Sequence, residues 1–183
     1  IDFINENIGY VSGGFNQRKV LKTTDGGHNW TQVADQVFGK IQFINEQVGY
    51  ANRIGNYYGA IYKTIDGGNT WNISIELEGE DIQDFDFVDE NNGYFVGDQK
   101  LIYKTNDGGI NWVKLEIPYE WYTLVKFYSK NVGYIADEEG LLYRTMNGGE
   151  SWDLLANQPL IKSIELVNNT IFTAGVAGKI YKS

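Results

Sequence analysis

Apolar and polar residues alternate along this chain in short runs, and no stretch keeps a helical spacing over a useful length. Ile1-Asp2-Phe3-Ile4 alternates and predicts a strand, Asn5-Glu6-Asn7 a turn, and Gly9-Tyr10-Val11 a second strand. Ser12 to Lys19 is polar and reads as a loop, Val20 to Thr23 as a third strand, and Trp30 to Val33 as a fourth. The same order returns from Ile41, from Phe85 and from Val125. The third strands repeat an aliphatic followed by Tyr: Ile61-Tyr62, Ile102-Tyr103, Leu142-Tyr143 and Ile180-Tyr181.

The turn between third and fourth strands is the most regular part. It reads TTDGGHNW at Thr23 to Trp30, TIDGGNTW at Thr64 to Trp71, TNDGGINW at Thr105 to Trp112 and TMNGGESW at Thr145 to Trp152. Trp30, Trp71, Trp112 and Trp152 thus recur every 40 or 41 residues. Each Asp, with Asn147 in the fourth copy, is expected to close an Asx turn by accepting backbone N–H groups just after it. The Gly pair can take positive φ, and the Trp ring can cover the turn. Four short antiparallel strands per 40 residues predict an all-β chain, a β-propeller of four-stranded antiparallel blades. About five blades are expected, at 1–40, 41–84, 85–124, 125–163 and a partial 164–183, forming one domain. The last lacks a fourth strand, because Ser183 stands where Thr23, Thr64, Thr105 and Thr145 stand; the array is expected to continue in the parent protein.

Ser/Thr-x-Asp-x-Gly-x-x-Trp resembles the Asp-box, or BNR repeat. A second element strengthens the resemblance: Phe3 to Gly9-Tyr10, Phe43 to Gly49-Tyr50, Phe87 to Gly93-Tyr94 and Phe127 to Gly133-Tyr134. The combination resembles propellers of the photosystem II stability and assembly factor type and their bacterial relatives, over essentially the whole chain. That resemblance implies a non-enzymatic binding or assembly scaffold outside the cytoplasm, periplasmic, secreted or at the cell surface. The alternative is a fragment of a carbohydrate-active propeller hydrolase, sialidase-like or xyloglucanase-like.

Charge and composition narrow the partners. The net charge of −9 disfavours nucleic acid, and no apolar run approaches the roughly 18 residues of a membrane helix. The expected partner is a protein or a glycan. There is no Cys and a single His, so thiolate metal sites are excluded, and neither a metal nor a cofactor is expected. The chain opens on Ile1 rather than Met, as it would had an N-terminal segment been removed.

Repetition separates scaffold from site. Asp25, Trp30, Asp66, Trp71, Asp107, Trp112, Asn147 and Trp152 obey the repeat and read as structural; His28 falls at a variable, solvated turn position. No catalytic residue is assigned. Arg144 sits in the column of Lys22, Lys63, Lys104 and Lys182, and Arg53-Ile54-Gly55 lacks the proline of the sialidase Arg-Ile-Pro element. The acidic run from Glu76 to Glu90 reads as a solvated loop between blades two and three. Residues that break the repeat remain: Phe15, Arg18, Arg53, Tyr57, Tyr58, Tyr119, Trp121 and Tyr122. Strand parity assigns their loops to the blade end opposite the boxes. There they either cap the core or form a ligand-binding surface, since aromatics and Arg are what binding surfaces favour.

Overall fold

A computed structural model describes residues 1–13, 19–53, 58–117, 121–157, 160–167, 170–176 and 180–182. The described residues form five antiparallel sheets, each a meander in chain order, and no helix longer than a turn. Blade one is β1 (Asp2–Phe3), β2 (Gly9–Gly13), β3 (Lys19–Thr23) and β4 (Thr31–Ala34). Blade two is β5 (Ile41–Phe43), β6 (Gly49–Arg53), β7 (Tyr58–Thr64) and β8 (Asn72–Glu78). Blade three is β9 (Ile82–Phe87), β10 (Gly93–Gly97), β11 (Leu101–Thr105) and β12 (Val113–Lys114). Blade four is β13 (Tyr122–Phe127), β14 (Gly133–Asp137), β15 (Leu141–Thr145) and β16 (Asp153–Asn157), and blade five is β17 (Ile161–Val167), β18 (Thr170–Gly175) and β19 (Ile180–Lys182). The chain falls into two compact units, Ile1–Ile82 and Gln83–Ser183.

The Phe-to-Gly-Tyr element explains how blades pack. Phe3 lies directly opposite Gly9 on the neighbouring strand, Phe43 opposite Gly49, and Phe127 opposite Gly133. A Cβ on Gly49 would stand 2.7 Å from the Phe43 ring, so the ring lies flat on bare backbone. Within each unit a Tyr that follows such a glycine reaches the next blade. Tyr10 of blade one stacks on Phe43 of blade two, centroids 3.5 Å apart and planes 8° from parallel. In the second unit Tyr94 of blade three stacks on Phe127 of blade four at 3.5 Å and 2°. Each Phe also meets its own box Trp edge-on, at 5.8 Å for Phe43 and Trp71 and 6.1 Å for Phe127 and Trp152. Offset or edge-on aromatic pairs add roughly 0.5–1.5 kcal/mol each beyond the burial of their area.

These stacks sit inside interblade cores. In the first unit Tyr10, Val20, Phe38, Ile41, Phe43, Ala51 and Trp71 are buried together. In the second, one core gathers Tyr94, Phe127, Ile135 and Tyr143, and another joins Tyr134, Leu142, Ile164 and Ile171 between blades four and five. Crossovers are tied as well: buried Asn52 accepts from Lys40 N at 2.7 Å and donates through Nδ2 to Ile82 O at 3.1 Å.

First strands are joined by carboxylates. Asp2 Oδ2 accepts from Phe43 N at 2.6 Å in the first unit. In the second, Asp84 accepts from Val125 N at 2.9 Å and Asp86 from Phe127 N at 2.8 Å. Asp86 also holds Lys126 Nζ at 3.2 Å. Burial would lower the Lys126 pKa, but Asp86 beside it, with Glu165 and Asp84, holds it above the usual range. The acidic run is therefore not the expected solvated loop. Glu76 and Glu78 lie in β8, and Asp84 and Asp86 lie buried in β9. A carboxylate can be buried when backbone N–H groups of the next blade satisfy it.

Trp71 is buried against Phe38 and Phe43, whereas Trp30 is only partly covered. Trp71→Ala should therefore destabilise by roughly 3 kcal/mol, and Trp30→Ala by clearly less, as urea midpoints at constant slope would report. An equal loss at both positions would mean that burial in the core does not set their contribution. Asp86→Ala strips buried Phe127 N of its acceptor and should cost about 2 kcal/mol. The same urea titration checks it, and a loss within error of zero would remove the carboxylate from the interblade bond.

Candidate binding surface

Each box is held by two side chains acting in relay. Thr23 Oγ1 donates to Asp25 Oδ1 at 2.8 Å and accepts from Gly27 N at 2.9 Å. Asp25 Oδ1 then accepts from Asn29 N at 2.8 Å, and Oδ2 from Asn29 Nδ2 at 2.7 Å. Trp30 Nε1 donates back to Gly27 O at 3.0 Å. Boxes two and three repeat the Thr and Asp bonds, with Thr70 and Asn111 in the place of Asn29. The fourth keeps them with Asn147 and Ser151, at 2.9 Å from Thr145 Oγ1 and 3.0 Å from Ser151 N. The Asx-turn expectation needs correction: the carboxylate takes the N–H four residues on, across a wider loop. Short Asx turns occur instead at the first-to-second strand turns, where Asn5 accepts from Asn7 and Ile8, and Asn45 from Gln47 and Val48.

The box docks on that turn. Gly26 N donates to Asn7 O at 2.9 Å, and Gly67, Gly108 and Gly148 make the matching bond in their own blades. Both box glycines hold positive φ, 70° and 91° in the first copy, which the unstrained backbone of other residues rarely allows. Third-strand lysines complete the assembly. Lys22 lies over Tyr10, and Lys104 lies over Tyr94 and reaches Gly148 O of the next box at 3.1 Å. Burial pushes the Tyr94 hydroxyl well above its ordinary pKa, so it stays a neutral donor to Lys130 O at 2.8 Å.

Of the repeat-breaking residues, Phe15, Arg18, Tyr57 and Tyr119 lie outside the described residues. The first unit carries Arg53 and Tyr58. Arg53 is already engaged: Nε donates to Tyr58 O at 2.8 Å, and Nη2 pairs with Glu76 Oε1 at 2.6 Å. Tyr58 is 46% exposed at the start of β7, directly opposite exposed Glu78. The second unit carries Trp121 and Tyr122, and it separates them. Tyr122 is 1% exposed, packed edge-on against Tyr143, and belongs to the core rather than to a surface. Alternation along the strand turns its neighbour Trp121 outward, 49% exposed. Sequence reasoning missed the residues beside it, exposed Glu138 and Glu139. It also missed the relay role of the box Thr, which its presence in every box could have signalled.

Radial repeats of this form define the class: the chain is an Asp-box, or BNR-repeat, β-propeller. The family model described as photosynthesis system II assembly factor YCF48 matches residues 73–163. Within the class, residues 73–163 are thus similar to repeats of the photosystem II assembly factor type. The photosystem II assembly lipoprotein Ycf48 of Prochlorococcus marinus (strain NATL2A) is 42% identical over 60 residues, 31% of this chain and 18% of that protein. A solved Ycf48 bound to D1 peptide aligns with 100% of this chain and 61% of its own, at TM-score 0.70 and 18% identity. A GH74 enzyme of Niastella koreensis aligns with 100% of this chain and 29% of its own, at TM-score 0.71 and 16% identity. At such identities these two likenesses carry the fold alone. The chain covers less than two thirds of each of these proteins.

The boxes carry a pH signature. Backbone N–H donation from Asn29, then its side-chain amide and the Thr23 hydroxyl, holds Asp25 down at about 2, and Asn111 does the same for Asp107. For Asp66 the Thr70 hydroxyl leads, followed by its N–H. A carboxyl with a depressed folded pKa stabilises fully above its unfolded value of about 3.9, and that contribution fades as pH falls towards about 2. Asn does not titrate, and Asn147 shows that the box tolerates it. Asp25→Asn with Asp107→Asn should therefore keep the fold at neutral pH and lose less Tm than the parent on acidification. Parallel Tm profiles for the two proteins would rule out this titration.

Proposed function

We propose that this chain is a non-enzymatic assembly scaffold that binds a polypeptide segment of a protein partner, with residues 1–183 acting as one propeller domain outside the cytoplasm. The match of residues 73–163 to the assembly-factor family carries the reading. Two further features support it. The lipoprotein name of the Prochlorococcus relative fits a location across or on the outer side of a membrane, and the solved Ycf48 holds a peptide. The chemistry of the repeats points the same way. Box carboxylates and the buried first-strand carboxylates Asp84 and Asp86 accept hydrogen bonds from the protein's own N–H and hydroxyl groups. A glycosidase needs instead two carboxyls facing each other across a substrate cleft.

An array of overlapping peptides from the termini and interhelical loops of the source organism's membrane proteins tests this reading, alongside a panel of fluorogenic glycosides. Binding to a discrete subset of peptides is expected, with glycoside turnover at the blank rate. Turnover proportional to protein concentration, and abolished by replacing one exposed carboxylate, would make the chain a hydrolase instead.

A further inference from the structure

Blade four presents an aromatic and two carboxylates at one end. Glu138 N donates to Trp121 O at 3.3 Å, continuing the β13–β14 ladder one step past Tyr122 and Asp137. Directly opposed residues on antiparallel strands share a face, with Cβ atoms about 5 Å apart. Tyr122 and Asp137 are both buried, and Trp121 and Glu138 both face solvent. The following turn is rigid, because Asp137 Oδ1 accepts from Glu139 N at 3.0 Å and from Leu141 N at 2.8 Å. Glu139 is thereby held exposed beside the pair.

Blade two shows what such an end can hold. Its second strand finishes on Arg53, where the second strand of blade four finishes on Asp137. Arg53 supplies the guanidinium there, bonding Glu76 at 2.6 Å and Tyr58 O at 2.8 Å. The corresponding end of blade four has the carboxylates and the aromatic, and neither Glu138 nor Glu139 has an ion pair among the described residues.

We propose that the Trp121, Glu138 and Glu139 end of blade four docks an arginine side chain of an extended basic segment in a partner protein. The guanidinium stacks on the indole face while its N–H groups meet the glutamates. Trp is the ring that attracts a cation best, and Arg is the cation that combines a flat face with a fork of donors. The net charge of −9 favours the encounter. The inference rests on the peptide-scaffold reading and adds the chemistry of the segment.

The test uses the full chain and a short fluorescent Gly/Ser peptide carrying two arginines, with a second peptide in which Gln replaces both. Anisotropy should show the Arg peptide binding more tightly than the Gln peptide, and added salt should weaken it. Trp121→Ala should weaken it about tenfold or more, as truncating an aromatic anchor does. Glu138→Gln with Glu139→Gln should weaken it several-fold and flatten the salt dependence. Trp121 and both glutamates are surface residues, and an unchanged Tm in each variant confirms that folding is intact. No binding of the Arg peptide, equal binding of the Gln peptide, or equal binding by Trp121→Ala would each overturn the proposal. The membrane-protein array separates the two readings. Array peptides that still bind Trp121→Ala undisturbed sink this site and leave the scaffold reading intact, whereas a parent chain silent across the whole array counts against the scaffold itself.

Discussion

The stack of a tyrosine on the next blade's phenylalanine is the contact from which the rest of the structure follows. Two rings 3.5 Å apart and nearly parallel, Tyr10 on Phe43 and Tyr94 on Phe127, can form only if the phenylalanine lies flat. It lies flat because the residue across the sheet is glycine. The box tryptophan then closes on the phenylalanine edge, away from the tyrosine. One glycine thus sets the ring orientation, and the ring sets the spacing of successive blades. The sequence element Phe-x5-Gly-Tyr encodes an interblade contact, although its residues are neighbours within one blade.

Polar groups reinforce the same joint. Carboxylates on first strands accept N–H groups of the following blade, and the third-strand lysine covers the tyrosine ring. Lys104 also reaches the next box's carbonyl. The Thr–Asp relay makes each box a rigid peg, fixed to the neighbouring turn by a glycine N–H. The first-strand carboxylates and Lys104 are satisfied across a joint, so these bonds select blade register while apolar contacts supply most of the burial. Strand ends at the opposite blade end differ from blade to blade, as Arg53 in blade two and Asp137 in blade four do.

Most of the architecture is legible along the chain, because the repeat is dense and each strand alternates. The four-stranded blades, the box turns with their positive-φ glycines, and the incomplete last blade all follow from spacing. The surface is legible only in part. Trp121 and Tyr58 are exposed as repeat-breaking residues, but Tyr122 breaks the repeat equally and is buried. A bulge between Tyr122 and Leu124 lies just beyond it, and simple alternation from Val125 misses it. The acidic run shows the converse failure: a dense charge run reads as solvated, yet its Asp84 and Asp86 are inner-strand residues facing backbone donors.

By itself the sequence determined the class of fold, the period, the places of the turns and the absence of cysteine. Each of these is a local property, written in consecutive residues and multiplied by repetition. Only the tertiary structure decided which acids are buried, which aromatics face solvent and which arginine already has a partner. Those outcomes depend on what the neighbouring strand or blade presents at 3 Å. A hydrogen-bond donor 41 residues away, such as Phe127 N for Asp86, leaves no mark in the local pattern of either segment.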